Sequence, residues 1–318
     1  MNNLKSKLTP VRYPGGKSNA IKHIDKYFLM NFKEYREPFF GGGSIGLYLM
    51  QMHPGKKFWV NDLFYPVYCF WKVLYEHPNQ MVKKIQSIKA KYIVKDDNIV
   101  QRLPDGKRIP SKSAQAGREL HLEARKKIEE SIDQKEEFET ACLWYILNKL
   151  SYSGMSMIGS YAPLAWDQNF TDKCISNLPE TSKLLNTVKF NITNEDYNLL
   201  LIEPGDNVFI FLDPPYKIPH KLYGKEGNLH EQFNHQRFVE NVKECSHKWM
   251  ITYNQDKDIE EWFSQYHQYP WELQYTMKAA KRTVDGNLAS EKNVDITTIK
   301  KSGKKGKELL IWNYDTYS

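Results

Sequence analysis

The chain has 318 residues, of which 45 are Lys or Arg and 38 are Asp or Glu, so its formal net charge is +7 at neutral pH. Hydrophobic residues make up 41% and charged residues 26%, which excludes an intrinsically disordered or collagen-like chain. No apolar run reaches the roughly 18 residues that a membrane-spanning helix needs, and the first residues lack the apolar stretch of a signal peptide. We therefore expect a cytoplasmic protein with no membrane partner.

The amino-terminal part of the chain alternates predicted strands and helices. Arg36–Phe40 is predicted to be a short strand that leads into three consecutive glycines. Ser44–Met50 is predicted to be a helix with Ser44 as its N-cap, because serine hydroxyls accept hydrogen bonds from the first free backbone N–H groups. Lys57–Asp62 is predicted to be a second strand that ends in an acid.

The middle of the chain, residues 63–185, does not follow that alternation. More than half of the residues in Gly117–Glu139 are charged, and the apolar segment Ala141–Leu147 follows. This pattern predicts a largely helical insert with a polar face. Asp96–Ser113 contains two prolines and an Asp-Gly pair, so we expect an exposed loop there.

The carboxyl-terminal part returns to the alternating pattern. The predicted strands are Asn207–Leu212, Lys248–Tyr253 and Glu308–Tyr314, and the predicted helices are Glu231–Cys245 and Asp256–Gln265. Alternating strands and helices favour an α/β fold with parallel strands. The basic residues Lys300–Lys307 precede the last strand and are expected to form a flexible turn that could contact phosphates.

No metal site is expected from the sequence. The four cysteines, Cys69, Cys142, Cys174 and Cys245, are widely spaced and form no CxxC pair. Neither a thiolate metal site nor a disulfide framework has support, so we expect four reduced and mostly packed thiols.

The segment Gly41–Gly46 has the pattern GxGxxG, directly after a predicted strand and at the start of a helix. Glycines let a ligand approach the backbone, and a helix amino terminus offers free N–H groups. Asp62, at the end of the next strand, is placed to accept hydrogen bonds from ribose hydroxyls. The motif fits either a dinucleotide or S-adenosylmethionine, and a glycine turn without a ligand also stays open.

The most specific motif is Asp213-Pro214-Pro215-Tyr216, immediately after the apolar strand. The two prolines fix an extended turn, which holds a carboxylate and an aromatic ring at the edge where open α/β sheets bind ligands. An exocyclic amino group on a nucleobase is a poor nucleophile because its lone pair is delocalised into the ring. A carboxylate and a backbone carbonyl that accept its two N–H bonds would turn the lone pair toward an electrophilic methyl group, while the aromatic face holds the base.

Three motifs in this order resemble those of the D12-class, Dam-like DNA adenine-N6 methyltransferases. They are Tyr13–Lys17, Glu37–Ser44 and Asp213–Tyr216. Weaker similarity at Asn148–Gly154 and Glu308–Ile311 extends the resemblance over almost the whole chain. The resemblance implies a Rossmann-like, S-adenosylmethionine-dependent methyltransferase sheet with a mostly helical target-recognition insert.

The resemblance also implies the domains and the site. Residues 1–62 and 186–318 would form a discontinuous catalytic domain, and residues 63–185 would form the recognition insert. Tyr13 and Lys17 would flank the cofactor S-adenosylmethionine, and Asp213, the carbonyl of Pro214 and Tyr216 would receive a flipped adenine. The remaining cofactor-binding residues would be Pro38, Phe39, Gly41 and Gly43 around the methionine part, Asp62 at the ribose and Asp196 near the adenine. Asp213 would contact the cofactor as well as the base.

The expected reaction is site-specific methyl transfer to N6 of an adenine in double-stranded DNA, without a covalent enzyme intermediate. The protein would act as a monomer, with a cognate restriction endonuclease as a further partner. A cytosine-N4 methyltransferase stays open as the nearest alternative, although those enzymes usually have serine in place of Asp213. An RNA or protein-glutamine methyltransferase would usually have asparagine there. An NAD-dependent oxidoreductase would use the GxGxxG loop but leaves Asp213–Tyr216 unexplained, and a DNA-binding protein without catalysis leaves Asp213 and Tyr216 unexplained.

Overall fold

A computed structural model of the protein describes residues 5, 8–95, 104, 108–217, 233–274 and 305–316. Seven strands form one sheet in the order β3-β2-β1-β4-β5-β7-β6. They are β1 (Glu34–Glu37), β2 (Lys57–Asn61), β3 (Lys189–Thr193), β4 (Val208–Leu212), β5 (Lys248–Asn254), β6 (His267–Gln274) and β7 (Lys305–Trp312). The first five strands are parallel, so their carboxyl ends meet at one edge of the sheet.

The sheet is mixed, and in this respect the prediction of parallel strands was wrong. Strand β7 runs antiparallel to both of its neighbours, β5 and β6. Strands β6 and β7 follow one another among the described strands, and antiparallel neighbours need no crossover helix between them. Hydrophobic pattern alone does not report strand direction, so the reversal could not be seen in Glu308–Tyr314.

Strand boundaries differ from the predictions in ways that proline explains. Strand β1 ends at Glu37, before Pro38, which has no N–H to donate to the ladder. The predicted strand Arg36–Phe40 was therefore placed too late. Strand β6 was not predicted because it contains Pro270, and proline within a strand is tolerated mainly at a sheet edge, where β6 lies. Strand β3 was also not predicted.

Strand β4 lies in the centre of the sheet and is buried along its whole length. Its side chains alternate between the two faces. Phe209 and Phe211 belong to one hydrophobic cluster, while Val208, Ile210 and Leu212 belong to a second cluster on the other face. A strand covered on both faces needs apolar residues at every position, which accounts for the uninterrupted apolar run in the sequence.

Twelve α-helices lie in the described part of the chain, together with 3-10 helices at Lys17–Asn19, Asp25–Tyr27 and Tyr152–Gly154. They are α1 (Ile21–Ile24), α2 (Ser44–Met50), α3 (Tyr65–Glu76), α4 (Pro78–Ala90), α5 (Lys112–Asp133), α6 (Glu137–Leu150), α7 (Pro163–Gln168), α8 (Asp172–Ser176), α9 (Leu178–Leu185), α10 (Asn198–Ile202), α11 (His235–Glu244) and α12 (Lys257–Trp262). None of these described helices is long and apolar enough to cross a membrane.

Helix α2 begins at Ser44 as predicted, but Ser44 is not its N-cap. Gly43 occupies the N-cap position with φ +68°, and no side chain caps the helix. A left-handed residue is needed to turn the chain from the glycine loop into the helix, and glycine adopts that conformation without steric cost. The Ser44 hydroxyl instead lies 3.1 Å from the hydroxyl of Ser18.

Residues 63–185 contain helices α3 to α9, as the charge pattern predicted. Helix α3 packs against the loop that follows strand β1, where the ring centroids of Trp71 and Phe40 are 4.9 Å apart. Helix α6 packs on α3 through Tyr145, which stacks on Phe70 at 5.9 Å. These aromatic residues share one hydrophobic cluster with Phe209 and Phe211 of the central strand.

Two predicted loops are only partly within the described residues. In Asp96–Ser113, the last two residues already belong to helix α5, and residues 96–103 and 105–107 lie outside the described ranges. In Lys300–Lys307, residues 305–307 belong to strand β7, so the predicted turn was wrong there, and residues 300–304 lie outside the described ranges.

Candidate active site

A cavity of about 290 Å³ opens at the carboxyl edge of the parallel strands. The residues that follow β1, β2 and β4 all contribute to its wall. All nine residues that the sequence assigned to cofactor binding line it: Tyr13, Lys17, Pro38, Phe39, Gly41, Gly43, Asp62, Asp196 and Asp213. The fold thus gathers into one cavity residues that are far apart in the chain.

The glycine loop forms one side of the cavity and is held tightly. Gly41 has φ +48°, and a Cβ atom there would lie 2.7 Å from Cε1 of Tyr13. The carbonyl of Gly41 accepts a hydrogen bond of 2.8 Å from Nε1 of Trp71, a residue of helix α3. The loop therefore needs glycine for both its backbone conformation and the close approach of the Tyr13 ring.

Asp62 fixes the other side of the same loop. Its Oδ2 accepts a 2.7 Å hydrogen bond from the backbone N–H of Gly41, and its Oδ1 accepts one of 2.9 Å from Phe64. Burial raises the pKa of Asp62 to about 6, and the two backbone hydrogen bonds oppose this rise. The carboxylate is ionised at neutral pH, and each oxygen retains lone-pair capacity for a further donor such as a ribose hydroxyl.

Asp213 joins the end of strand β4 to the amino-terminal turn. Lys17 Nζ lies 2.7 Å from the Asp213 carboxylate and also donates to the carbonyl of Gly15 at 3.0 Å. The Lys17 side chain is only 3% exposed. Thr252, at the end of β5, donates its hydroxyl to Asp213 Oδ1 at 2.8 Å. The carboxylate is therefore held from two directions.

Tyr216 lies next to the cavity without lining it, and the same is true of Pro214, which is buried. The Tyr216 ring stacks on Tyr253, with centroids 5.6 Å apart and an interplanar angle of 15°. The Lys17 ammonium lies 4.8 Å from the centroid of the Tyr216 ring. Lys17 thus contacts both the carboxylate and the aromatic ring of the strand-end tetrapeptide.

Asp196 also lines the cavity and pairs with Arg237 of helix α11. The guanidinium makes two hydrogen bonds of 3.0 Å to the carboxylate. Arg237 also lies 5.3 Å from the centroid of the Tyr197 ring, which stacks on Phe39 at 5.4 Å. Sequence reasoning missed Arg237 because no motif surrounds it, and its role follows only from the position of α11.

Glu37, the first residue of the Glu37–Ser44 motif, was not assigned a role from the sequence but lines the cavity. Its Oε2 accepts a 2.8 Å hydrogen bond from the hydroxyl of Tyr35. Burial raises the pKa of Glu37 well above its usual range, and the nearby charge of Asp213 adds to the effect. Its position directly before Pro38 was the signal that could have identified it.

The charges of the lining residues indicate the kind of ligand that fits. Three acidic side chains besides Glu37, whose raised pKa favours its neutral form, line the cavity at positions 62, 196 and 213, against two cationic ones. Both cations are already paired with carboxylates, Lys17 with Asp213 and Arg237 with Asp196. This lining suits a ligand with positive charge and hydroxyl groups, as the sulfonium, ammonium and ribose of S-adenosylmethionine provide. It suits the pyrophosphate of a dinucleotide poorly.

The strand order and the cavity at the carboxyl edge define a Rossmann-like α/β methyltransferase fold. The chain matches the family of D12 class N6 adenine-specific DNA methyltransferases over residues 13–277, and it belongs to that family. The resemblance and the fold class predicted from the sequence are thereby confirmed. The family assignment also argues against the oxidoreductase alternative.

Two curated relatives are similar to this chain at low identity. The Type II methyltransferase M.MjaIII of Methanocaldococcus jannaschii is 24% identical over 223 residues, which cover 65% of this chain and 68% of that protein. The Type II methyltransferase M1.LlaDCHI of Lactococcus lactis subsp. cremoris is 22% identical over 241 residues, which cover 74% of each. Both similarities extend over most of the chain.

Proposed function

We propose that the protein is a site-specific DNA methyltransferase that transfers a methyl group from S-adenosylmethionine to N6 of an adenine flipped out of duplex DNA. The observation that supports this most is the position of Asp213. Its carboxylate lines the cavity together with the predicted cofactor-binding residues, while Tyr216 lies just beyond that cavity. One carboxylate thus stands at the boundary between a cofactor site and a base site.

The cofactor would be held by the residues of the cavity. Asp62 would accept hydrogen bonds from the ribose hydroxyls, and Asp196 would lie near the adenine. Pro38, Phe39 and the glycine loop would surround the methionine part, and Tyr13 and Lys17 would flank it. When bound, S-adenosylmethionine supplies an electrophilic methyl group.

The target base would be held by the tetrapeptide. The Asp213 carboxylate and the Pro214 carbonyl would accept the two N–H bonds of the adenine amino group, and the Tyr216 ring would stack on the base. Flipping a base costs a few kcal/mol, which stacking and hydrogen bonds to the base edge offset. Alignment of the amino nitrogen would supply much of the rate. The nitrogen lone pair would form the new N–C bond as the S–C bond of the cofactor breaks, and the surplus N6 proton would pass to the Asp213 carboxylate, so no covalent bond to the enzyme would form.

The remaining parts of the proposal concern partners and domains. Residues 63–185 would recognise the sequence around the target, and residues 1–62 and 186–318 would form the catalytic part. The net charge of +7 fits the neutralisation of DNA phosphates, so binding should weaken steeply with salt. Both relatives are named Type II methyltransferases, which supports a cognate restriction endonuclease as partner. We propose that the protein acts as a monomer.

The test is the identity of the modified base. The purified protein is incubated with labelled S-adenosylmethionine and unmethylated DNA, and the nucleosides are then separated by mass spectrometry. We expect N6-methyladenine. Asp213→Ala should abolish methyl transfer, because the acceptor for the amino group is removed. Cofactor binding should stay partly intact, because the other eight predicted cofactor-binding residues still line the cavity.

Asp206→Ala is the matched control. Asp206 lies just before strand β4 and pairs with Lys33 at the surface, whereas Asp213 lies just after the same strand. The control should keep wild-type activity. Near-normal turnover by Asp213→Ala would refute the proposed mechanism, and N4-methylcytosine as the product would replace the proposed substrate with the cytosine alternative.

A further inference from the structure

Strand β7 contacts the tetrapeptide through a buried carboxylate. The Tyr216 hydroxyl donates a 2.6 Å hydrogen bond to Oε2 of Glu308. Glu308 is only 1% exposed. An O–H···O hydrogen bond of 2.6 Å lies at the short end of the normal range. The ring proposed as the platform for the base is thus held at its outer end by this contact.

A second contact, from the strand beside Glu308, holds Lys217, the residue after Tyr216. Glu308 pairs with Asn254 across strands β7 and β5. Asn254 Oδ1 accepts a 3.1 Å hydrogen bond from the backbone N–H of Lys217, the residue after Tyr216. Two neighbouring residues on adjacent strands therefore fix the side chain of Tyr216 and the backbone that follows it.

A third contact restricts the Tyr216 ring itself. Tyr253, which precedes Asn254 on strand β5, packs against one face of the ring. The stacking sets the tilt of the ring plane, and the hydrogen bond to Glu308 sets the position of the hydroxyl. Together they leave the ring little freedom to rotate, which is the condition for a platform that meets a flipped base in one orientation.

We infer that Glu308 is a positioning residue that orients Tyr216 for the target adenine. This inference rests on the proposed function. Glu308 lies beyond residues 13–277, which the family model matches, and only the weaker resemblance at Glu308–Ile311 includes it. Substitution of Glu308 should change the rate of the methyl-transfer step and not cofactor binding, because Glu308 acts through Tyr216 and does not line the cofactor cavity.

The experiment measures single-turnover methyl transfer at saturating cofactor and DNA for four variants. Tyr216→Phe and Glu308→Ala should each slow transfer about tenfold, as the loss of one buried hydrogen bond predicts. The double variant should be no slower than either single variant, because both remove the same interaction. Glu308→Gln keeps an acceptor oxygen and should restore most of the rate. The dissociation constant for S-adenosylmethionine should not change.

Glu261→Ala, an exposed carboxylate on helix α12, is the control and should match the wild type. Additive effects of Tyr216→Phe and Glu308→Ala would overturn the inference, and so would a normal rate in Tyr216→Phe. If Glu308→Ala does not fold, Tyr216→Phe still tests the inference, because it removes the same hydrogen bond from the other partner. If the wild type itself transfers no methyl group to adenine, the proposed function fails instead, and the two failures are thereby distinguished.

Discussion

The two ends of the sheet both contain buried charged side chains, but only one end leaves them facing a cavity. At the amino end, the Arg36 side chain is 1% exposed and pairs with Glu34 at 2.7 Å. Its guanidinium also donates to the carbonyls of Leu200, Glu203 and Pro204. At the carboxyl end, Lys17, Asp62 and Asp213 line the cavity.

The difference separates a structural use of charge from a functional one. Around Arg36, protein oxygens accept hydrogen bonds from the guanidinium on several sides, so few of its N–H groups are available to a ligand. Around Asp62 and Asp213, lone pairs that face the cavity are available to a ligand. A buried charge therefore indicates a site when its remaining hydrogen-bonding capacity faces a cavity.

The largest expected effect is on stability at the amino end. Arg36→Met would leave the Glu34 carboxylate and three carbonyls without their cationic partner. Removal of one partner from a buried ion pair costs about 3–5 kcal/mol, and we expect a loss of this size in the free energy of unfolding. Urea denaturation measures it.

The control for Arg36→Met is Lys33→Met. Lys33 pairs with Asp206 at the surface, where the two side chains are 69% and 75% exposed. An exposed ion pair contributes less than about 1 kcal/mol. Similar losses in the two variants would contradict the distinction between a closed buried network and an ordinary surface pair.

The next effect compares a glycine at each end of the sheet. A Cβ atom on Gly43, in the cavity loop, would lie 2.9 Å from the rings of Phe40 and Trp71, whereas one on Gly55 would have no atom within 4 Å. Both residues have positive φ, +68° and +79°. Gly55→Ala should cost about 1–2 kcal/mol for the left-handed backbone, and Gly43→Ala about 2–4 kcal/mol because overpacking is added.

Thermal and urea unfolding of the two glycine variants give this comparison. Equal losses would show that the Gly43 loop relaxes away from the two rings. A larger loss in Gly43→Ala, together with weaker binding of S-adenosylmethionine, would tie the shape of the loop to the packing of helix α3.

The smallest effect is a pH dependence at the carboxyl end. Burial raises the pKa of Asp62 from 3.8 to about 6 in the folded protein. Because the folded state holds this proton more tightly than the unfolded state, Asp62 lowers stability as the pH rises through that window. Linkage predicts a loss of about 2 kcal/mol between about pH 4.5 and pH 7.

In Asp62→Asn this contribution disappears, so the free energy of unfolding should fall less over the same pH range than in the wild type. Asp206→Asn removes an exposed carboxylate and is the matched control, with a wild-type profile. An unchanged pH profile in Asp62→Asn would show that the carboxylate is not the source of the effect.

Local patterns were sufficient to predict the parts of the molecule that depend on neighbours in the chain. The apolar run of β4 and the prolines after Asp213 determine a buried strand and a rigid turn by themselves. The acid at the end of β2 is likewise visible as a strand-end residue. The nine residues that the structure finds around one cavity were named by the family resemblance, to which these features contributed.

Contacts between distant elements could not be predicted in this way. Arg237, Thr252 and Glu308 contact Asp196, Asp213 and Tyr216 only because helix α11 and strands β5 and β7 lie beside them in the fold. The antiparallel direction of β7 could not be predicted for the same reason, because it depends on the neighbouring strands. The N-cap of α2 failed for another reason: Gly43 and Ser44 both fit that position, and only the backbone angle of Gly43 decides between them.

The pairing of β1 with β4 has a consequence for synthesis on the ribosome. Glu34 pairs with Val208, so the edge of β1 that faces β4 stays unpaired until most of the chain is made, a delay of about 10–30 s at typical elongation rates. A strand edge exposed for that time is a site for aggregation. Three of the four residues of β1 are charged, although all four become buried in the finished sheet. We expect the charges that the folded protein must neutralise to oppose pairing of this edge with a wrong partner during synthesis.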